Sequence, residues 1–163
     1  MSKPRKPSAS PEDRGVLEIA HNRRARQRYE ILESLEVGIR LSGTEVKTLR
    51  AGQVSLDGAW VKVEGDQLHL QDTHIAEYTE GNRFNHDPVR PRPLLAHKRE
   101  VRRLAAKVKI KGLTLIPLRL IFRGKWVKLE IGLAKGRRTQ DKRQSMRNKE
   151  SRRTLRGLRG HRT

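Results

Sequence analysis

Two runs of alternating apolar residues, separated by a short polar turn, constrain the fold of this chain more than any other feature. The alternating positions are Leu118, Leu120, Phe122, Val127, Leu129, Ile131 and Leu133. A period of two sends alternate side chains to one face of a β-strand, and the turn contains Gly124, which can adopt the positive φ of tight turns. We therefore predict an antiparallel β-hairpin over residues 112–135, with both apolar rows facing one core.

The charge of the chain indicates a polyanionic partner. Its 163 residues include 38 Lys and Arg against 18 Asp and Glu, a formal net charge of +20. This excess is larger than solubility requires and favours nucleic acid as the partner. A membrane surface is the rival, but no apolar run approaches the roughly 20 residues of a spanning helix, and the basic segments lack an apolar face. We therefore expect no membrane partner.

The apolar residues are sufficient for one body between two polar ends. Hydrophobic residues make up 34% of the chain. We predict a disordered N-terminal extension over residues 1–15, a body over residues 16–138 and a basic tail over residues 139–163. The chain has no Cys, which suits a reducing compartment, and its start lacks the apolar run of a secretory signal, so we expect a cytoplasmic location.

Further strand signals lie before the hairpin. Alternation over residues 29–41 predicts a long first strand, bent near residues 33–34. A second hairpin is predicted over residues 59–72, where two alternating runs flank a Gly-Asp turn. Ile75 and Tyr78 are expected to continue its sheet.

Two helices are predicted beside these strands. Ser42 and Glu45 have the spacing of a capping box, in which each side chain bonds an orphan backbone N–H, so a short helix begins here and ends at Gly52. After a Pro-rich loop over residues 80–93, apolar residues recur at helical spacing until Gly112 ends a longer helix. Its apolar positions are Leu94, Val101, Leu104, Ala105 and Val108.

These elements predict a mainly β protein. Its fold is expected to be an OB-like antiparallel β-barrel with one short and one longer inserted α-helix, followed by a disordered basic C-terminal tail. The strand period leaves open whether the barrel is closed or is a half-open sheet covered by the longer helix. Barrels of this type commonly bind nucleic acids.

No residue pattern indicates catalysis, a metal or a cofactor. His69 and His74 are five residues apart, which fits one face of neither a strand nor a helix, and phosphate-loop and zinc-protease motifs do not occur in the sequence. We therefore expect a binding protein and not an enzyme. The chain has only two each of Trp, Tyr and Phe, too few for a multi-base stacking platform, which favours structured RNA recognised by shape and phosphate.

Five short motifs occur in one order along the chain. They read GTEVK and LRAG within residues 43–52, NHDP at 85–88, GLT at 112–114 with Pro117, GLAKG at 132–136 and DKR at 141–143. Together they resemble the SsrA-binding protein family, small protein B, over residues 21–147. The resemblance implies a bacterial protein whose barrel cradles the tRNA-like part of transfer-messenger RNA, standing in for a missing anticodon arm. It also implies that the tail enters the empty mRNA channel of a stalled ribosome.

The resemblance further implies which residues meet the RNA. Glu36 would accept from a base edge while the cations meet phosphates. Without the resemblance, a surface acid paired with a neighbouring cation is the preferred interpretation of Glu36. Leu94 or Leu95, at the start of the longer helix, belongs to the same implied surface. The predicted RNA-binding residues are Asn22, Arg23, Arg24, Glu36, Lys47, Leu94, Leu95, Lys135, Arg137 and Arg138.

The basic tail carries the implied ribosome contacts. The residues predicted at the decoding centre and in the mRNA channel are Gln140, Asp141, Lys142, Arg143 and Arg147. Two residues depart from the family pattern: Gln140 stands where relatives often have an aromatic or imidazole side chain, and Ser151 where some have Trp, which leaves open whether the tail stacks on ribosomal bases. Because like charges in the tail repel one another, we predict that it is disordered alone and becomes helical among phosphates.

Three kinds of function agree with the charge and size of the chain. The leading one is an adaptor whose partners are transfer-messenger RNA, the small ribosomal subunit and, through the aminoacylated RNA, elongation factor Tu. The second is a structural ribosomal protein, which would stay on salt-washed ribosomes near one copy each. The third is an RNA-processing enzyme, which would cleave labelled RNA. An adaptor would instead co-purify with a distinct small RNA.

Overall fold

The computed structural model of the chain describes residues 15–80, 85–110, 112–137, 147–151 and 153. The strands in this part of the chain are β1 (Val16–His21), β2 (Tyr29–Ile39), β3 (Val54–Ser55), β4 (Trp60–Glu64), β5 (Gln67–Gln71), β6 (His74–Ile75), β7 (Arg92–Leu95), β8 (Leu113–Arg123) and β9 (Trp126–Gly136). The helices are α1 (Ala25–Arg28), α2 (Gly43–Arg50) and α3 (Lys98–Val108). Residues 147–151 and 153 are also helical.

Six of the strands form a closed antiparallel barrel. Their order is β8-β4-β5-β7-β2-β9, and β9 pairs again with β8, which closes the ring. β1 extends the sheet beside β8, whereas β3 and β6 pair separately. The core inside the barrel includes Leu68, Leu104 and Leu129, each at most 1% exposed. The mainly β, OB-like fold predicted from the sequence is confirmed, and the barrel is closed.

The predicted C-terminal hairpin forms from β8 and β9. The two strands pair antiparallel along their length, and Gly124 in the turn has a φ of 61°. One prediction about its faces is wrong. A bulge between Pro117 and Arg119 shifts the alternation, so Leu118 does not face the main core with Leu120.

The bulge in β8 gives rise to a second, smaller core on the outside of the barrel. Leu118 packs there with Ile116, Ala134 and Ala25 of α1. Pro117 has no N–H to donate, and a bulge is one of the few places where a paired strand tolerates this loss. The second core therefore holds α1 against the outer surface of the hairpin.

β2 confirms the long first strand, although it ends at Ile39 and not at Leu41. A bulge between Ile31 and Glu33 agrees with the predicted bend. Beyond this bulge, Glu33 accepts hydrogen bonds from Arg103 and Lys107 of α3. The bulge thereby aims a carboxylate at the helix that covers one end of the barrel.

Several details differ from the sequence-based prediction. β1, α1 and β7 are not predicted as elements, and α3 begins at Lys98, so Leu94 lies on a strand and not in the helix. The second hairpin is confirmed by β4 and β5. Ile75 does not continue it, because β6 pairs with β3, and Tyr78 lies in a loop.

α2 begins at the predicted N-cap. The Ser42 hydroxyl accepts from the backbone N–H of Glu45 at 3.4 Å, and Gly52 follows the helix with a φ of 72°. The predicted return bond from Glu45 to the backbone is wrong. Its carboxylate is fully buried and is hydrogen-bonded instead to Ser42, Arg90 and Arg92.

The pair of Glu45 and Arg92 lies at the centre of a buried polar network. Both side chains are 0% exposed, and Arg92 Nε donates to Glu45 Oε2 at 2.6 Å. The other N–H groups of the guanidinium donate to the carbonyl oxygens of Thr73, Asp87, Pro88 and Arg90. Because all five donors have acceptors, the network joins α2 and β7 to Thr73 and to residues 87–90, which precede β7, without an unpaired charge.

The predicted disorder at the two ends concerns residues that are largely outside the described ranges. Residues 1–14 and 138–146 belong to this group, so the predicted segment boundaries remain predictions. Among the residues that are described, no helix is long and apolar enough to cross a membrane.

Replacing Glu45 by Gln should destabilise the protein in a pH-dependent way. Burial raises the pKa of Glu45, but hydrogen bonds and charges of Arg92 and Arg90 outweigh it and hold the pKa below its ordinary value. A depressed pKa contributes stability at neutral pH that is lost as the pH falls through the acidic range. Urea unfolding should show that the variant loses about 3–5 kcal/mol at pH 7, because Arg92 is left unpaired.

The difference between wild type and Glu45→Gln should shrink as the pH is lowered toward 3. Glu64→Gln is the matched control, since Glu64 is exposed and should change stability by no more than about 0.5 kcal/mol at either pH. A loss of stability in Glu45→Gln that is equal at pH 7 and at pH 3 would contradict the proposed role of the charge.

Candidate nucleic-acid interface

The outer surface of β1, β8, β9 and β2 carries a row of paired charged residues. Residues directly opposite one another on antiparallel strands share a face of the sheet. Glu36 on β2 lies opposite Glu130 on β9. Arg119 on β8 lies opposite Glu130 on one side and opposite His21 of β1 on the other. We call the surface defined by this row, and by its neighbours on the same four strands, the outer face.

Glu36 is held by an arginine of the outer face. Arg123 Nε and a terminal nitrogen donate to its two carboxylate oxygens at 3.0 and 2.8 Å. These hydrogen bonds hold the pKa of Glu36 below its ordinary value. Partial burial acts to raise this pKa, whereas the charges of Arg123, Lys128 and Arg119 lower it further. Glu130 pairs with Arg119, which offsets the repulsion between the facing carboxylates. The structure therefore contains the ion pair between Glu36 and a neighbouring cation, which is one of the two interpretations of Glu36 made from the sequence.

A second row on the same sheet leads to a groove beside α3. Leu95 of β7 lies opposite Gly38 of β2, which in turn lies opposite Lys128 of β9. Because Gly38 has no side chain, Leu95 can lie over it: a Cβ at residue 38 would be 3.1 Å from Leu95 Cβ. Glu36, Leu95 and Lys128 consequently line one groove of about 580 Å³ that extends to the first turn of α3.

The two leucines predicted at the interface have different environments. Leu94 is 2% exposed and packs in the main core, whereas Leu95 is 52% exposed. Both lie on β7, so the prediction that they open the longer helix is wrong. Of the two, only Leu95 offers its side chain to a ligand of the folded protein.

α1 positions a group of cations beside the outer face. Ala25, the one buried residue of α1, anchors it in the second core. The sequence signal that could have indicated α1 is this single apolar residue among cations. Arg24 pairs with Asp57 at 3.2 Å. The exposed cations of the segment are Arg23, Arg24, Arg26 and Arg28.

Asn22 links these cations to the barrel. Its Nδ2 donates to the carbonyl oxygen of Pro117 at 2.9 Å, and its backbone N–H donates to that of Leu118 at 2.7 Å. Both acceptors belong to the bulge of β8. Asn22 therefore has a structural role that the sequence did not indicate, and it lines a cleft with Arg119 and Glu130 of the outer face.

Lys135 and Arg137 add two further cations beside those of α1. Lys135 is exposed near the end of β9 and is not in a loop as predicted. It is seven residues, roughly 23 Å, along the strand from Lys128. Arg137 donates through its backbone N–H to the carbonyl of Arg28 at 3.0 Å, beside the end of α1. We call the region of α1, Lys135 and Arg137 the cationic end.

The remaining predicted residues lie elsewhere. Lys47 is on α2, where its Nζ lies 5.3 Å from the centre of the Tyr78 ring, and it is not part of the outer face or the cationic end. Arg147 is exposed at the start of helical residues 147–151. The predicted residues that fall outside the described ranges are Arg138, Gln140, Asp141, Lys142 and Arg143.

The fold and the interface together define an OB-like barrel with an ordered charged sheet face and a cationic end. Within the residues that the structure describes, no group of three or more His, Cys, Asp or Glu could hold a metal ion. The arrangement can form ion pairs and hydrogen bonds with a ligand.

Comparison with known proteins identifies the family. The model of the SmpB protein family matches residues 19–159. An SsrA-binding protein of Carboxydothermus hydrogenoformans is 50% identical over 137 residues, 84% of this chain and 92% of that protein. One of Synechococcus sp. (strain CC9311) is 51% identical over 133 residues, 81% of each chain. The chain belongs to the SmpB protein family, which confirms the resemblance seen in its motifs.

A solved structure agrees with this assignment. It is described as "tmRNA-SmpB: a journey to the center of the bacterial ribosome", and one of its chains matches this fold with a TM-score of 0.64 and 48% sequence identity. The match covers 82% of this chain and 95% of that chain.

Replacing each of the two adjacent leucines by Ala should separate core from interface. Leu94→Ala should lower the free energy of unfolding by about 2–5 kcal/mol, because it leaves a cavity in the core. Leu95→Ala should cost less than about 1 kcal/mol, since half of this side chain is already in solvent. Urea unfolding measures both, and equal losses would show that the assignment of the two environments is wrong.

Proposed function

We propose that this protein binds the tRNA-like domain of transfer-messenger RNA and delivers that RNA to stalled ribosomes for trans-translation. In this role it is a cytoplasmic adaptor without catalytic activity, and elongation factor Tu joins only through the aminoacylated RNA. The observation that carries the proposal is the 48% identity and shared fold with a solved chain described as tmRNA-SmpB in the bacterial ribosome.

The cationic end supports this proposal by its charge. The exposed arginines at residues 23–28 are joined there by Lys135 and Arg137. Acids also lie nearby: Asp57 pairs with Arg24, Glu30 lies opposite Lys135, and Glu18 and Glu130 line a cleft with Arg26. Clustered cations bind the phosphates of a nucleic acid whatever its sequence. We assign the cationic end to the RNA backbone.

The outer face supports recognition of particular nucleotides. Each carboxylate oxygen has two acceptor sites, so Glu36 can accept from a base amino or imino group while it remains bonded to Arg123. Leu95 supplies an apolar contact in the same groove, and Lys128 supplies a cation for a phosphate. We assign base-edge recognition to Glu36 and the nucleotide contact to Leu95.

The tail is assigned to the ribosome. Residues 139–163 contain many cations and few apolar residues, so they are suited to a channel lined by phosphates and poorly suited to packing on the barrel. A tail in the mRNA channel would require that the channel be empty, because mRNA would occupy the same volume. The proposed adaptor therefore reports the absence of mRNA.

Replacing Glu36 by Arg should weaken RNA binding although it adds positive charge. The change removes the acceptor and the partner of Arg123, and one lost base contact of this kind costs about 1–3 kcal/mol. Filter binding with the tRNA-like domain at fixed salt should show a dissociation constant at least about tenfold higher than wild type.

Glu64→Arg is the matched control for charge. Glu64 is exposed on β4, three strands from β2 around the six-stranded ring, and its replacement changes the net charge equally. It should leave the affinity unchanged or slightly raise it. If Glu36→Arg and Glu64→Arg both tighten binding, electrostatic attraction alone governs the interface.

Truncation after Arg138 should separate the two assigned functions. The core residues of β9 end at Ala134 and the cationic end is complete by Arg137, so the shortened chain should bind the tRNA-like domain within roughly threefold of wild type at moderate salt. Peptide tagging on stalled ribosomes should be abolished in a reconstituted translation assay. A loss of RNA affinity above tenfold would contradict the division between body and tail.

A further inference from the structure

Trp126 is a large aromatic side chain left in solvent at the tip of the C-terminal hairpin. It is 66% exposed, more than any other large hydrophobic residue in the described part of the chain. Trp combines a large apolar ring with a polar N–H and is for this reason enriched at interfaces, so an indole left in solvent is a candidate contact residue. The other tryptophan, Trp60, is 40% exposed and its Nε1 donates to Asp72 at 3.0 Å.

The sheet register places Trp126 on the outer face. Trp126 lies opposite Arg123 on β8, and residues opposite one another share a face. Arg123 is the residue that holds both carboxylate oxygens of Glu36. Along β9, Trp126 is also two residues from Lys128, which points to the same side by alternation. The indole is therefore continuous with the surface that carries Glu36.

The surroundings of Trp126 are cationic. Lys125 Nζ lies 5.7 Å from the centre of the indole ring, and Arg123 lies beside it on β8. On β2, Gly38 faces Lys128, so Arg40, which is exposed, follows two residues further toward the tip. An apolar protein partner would have to desolvate these charges, whereas a nucleotide offers a ring for the indole and a phosphate for the cations.

The hairpin tip is also firmly attached, as a stacking platform requires. Gly124 adopts the positive φ of the turn, and its N–H donates to the carbonyl of Gly15 at 3.3 Å, so the start of β1 holds the tip. Little conformational entropy is then lost when a base is placed on the ring.

We propose that Trp126 stacks on one unpaired nucleobase of the RNA bound at the outer face, with Lys125 and Arg123 beside the phosphate of that nucleotide. This inference rests on the proposed function and adds to it a single stacked base at the end of the outer face remote from the cationic end. One stacked base agrees with the scarcity of aromatic residues, which argues only against a platform for several bases.

The test uses the full-length protein and the transcribed tRNA-like domain. Trp126→Ala should weaken binding by roughly 5- to 100-fold, the range that loss of one base–aromatic stack produces, and Trp126→Phe should restore most of the affinity. Trp60→Phe should bind within about twofold of wild type, since surface changes away from an interface have little effect. Thermal unfolding of each variant verifies that the barrel is intact, because Trp126 is not part of either core.

Two further readouts distinguish stacking from charge. The chain has two Trp residues, so the fluorescence of Trp60→Phe reports Trp126 alone, and saturating RNA should quench it. The fluorescence of Trp126→Phe, which reports Trp60, should stay unchanged. The slope of log affinity against log salt should be the same in wild type and Trp126→Ala, because stacking releases no counterions.

Three results would overturn the inference while leaving the proposed function standing: normal affinity in Trp126→Ala, unquenched Trp126 fluorescence at saturating RNA, or a changed salt slope. If wild type itself does not bind the tRNA-like domain, the proposed function fails first, and the two failures are thereby distinguished.

Discussion

The pairing of β8 with β9 is the interaction on which the rest of the structure depends. It closes a ring of six strands, so that the apolar residues of both strands line an interior that an open sheet would leave exposed. β4 reaches β8 through a single residue pair, Val61 with Leu115. The long hairpin therefore supplies most of the closure, and the same two strands carry most of the outer face.

The bulge at Pro117 explains how one hairpin can serve two cores. Before it, Ile116 and Leu118 point to the outside and receive Ala25 of α1; after it, Leu120 faces the barrel interior. The shift in alternation thereby adds Ile116 and Leu118 to the apolar surface on which α1 packs, beside Ala134 of β9. The arginines of α1 depend for their position on a backbone irregularity in a strand distant in sequence.

Elements in which apolar residues recur at a regular spacing could be predicted from the sequence, whereas elements without such a spacing could not. β8, β9 and the hairpin of β4 and β5 are long or clearly punctuated, so alternation and turn residues identify them. β7 is four residues long and contains a proline, and a run of leucines beside a helical pattern led to the wrong assignment of Leu94.

Long-range contacts set the remaining features of the site. Glu45 and Arg92 look like surface residues in the sequence, because only the fold brings them together and satisfies each charge in the interior. Asn22 and Pro117 are 95 residues apart, and their hydrogen bond likewise forms only because the fold brings them together. The surface row of Glu36, Glu130 and Arg119 follows from strand register, which no local pattern specifies.

The distribution of charge separates attraction from recognition under the proposed function. Although the chain has a net charge of +20, the outer face is nearly balanced. Its acids are Glu18, Glu36 and Glu130, and its strong cations are Arg119, Arg123 and Lys128. A balanced face adds little affinity for an arbitrary polyanion, and its ion pairs fix the direction of each donor and acceptor. Part of the excess charge lies instead at the cationic end and in the tail, which the proposed function assigns to phosphates without regard to sequence. An RNA attracted by those regions is retained at the outer face only when its bases match the fixed groups there.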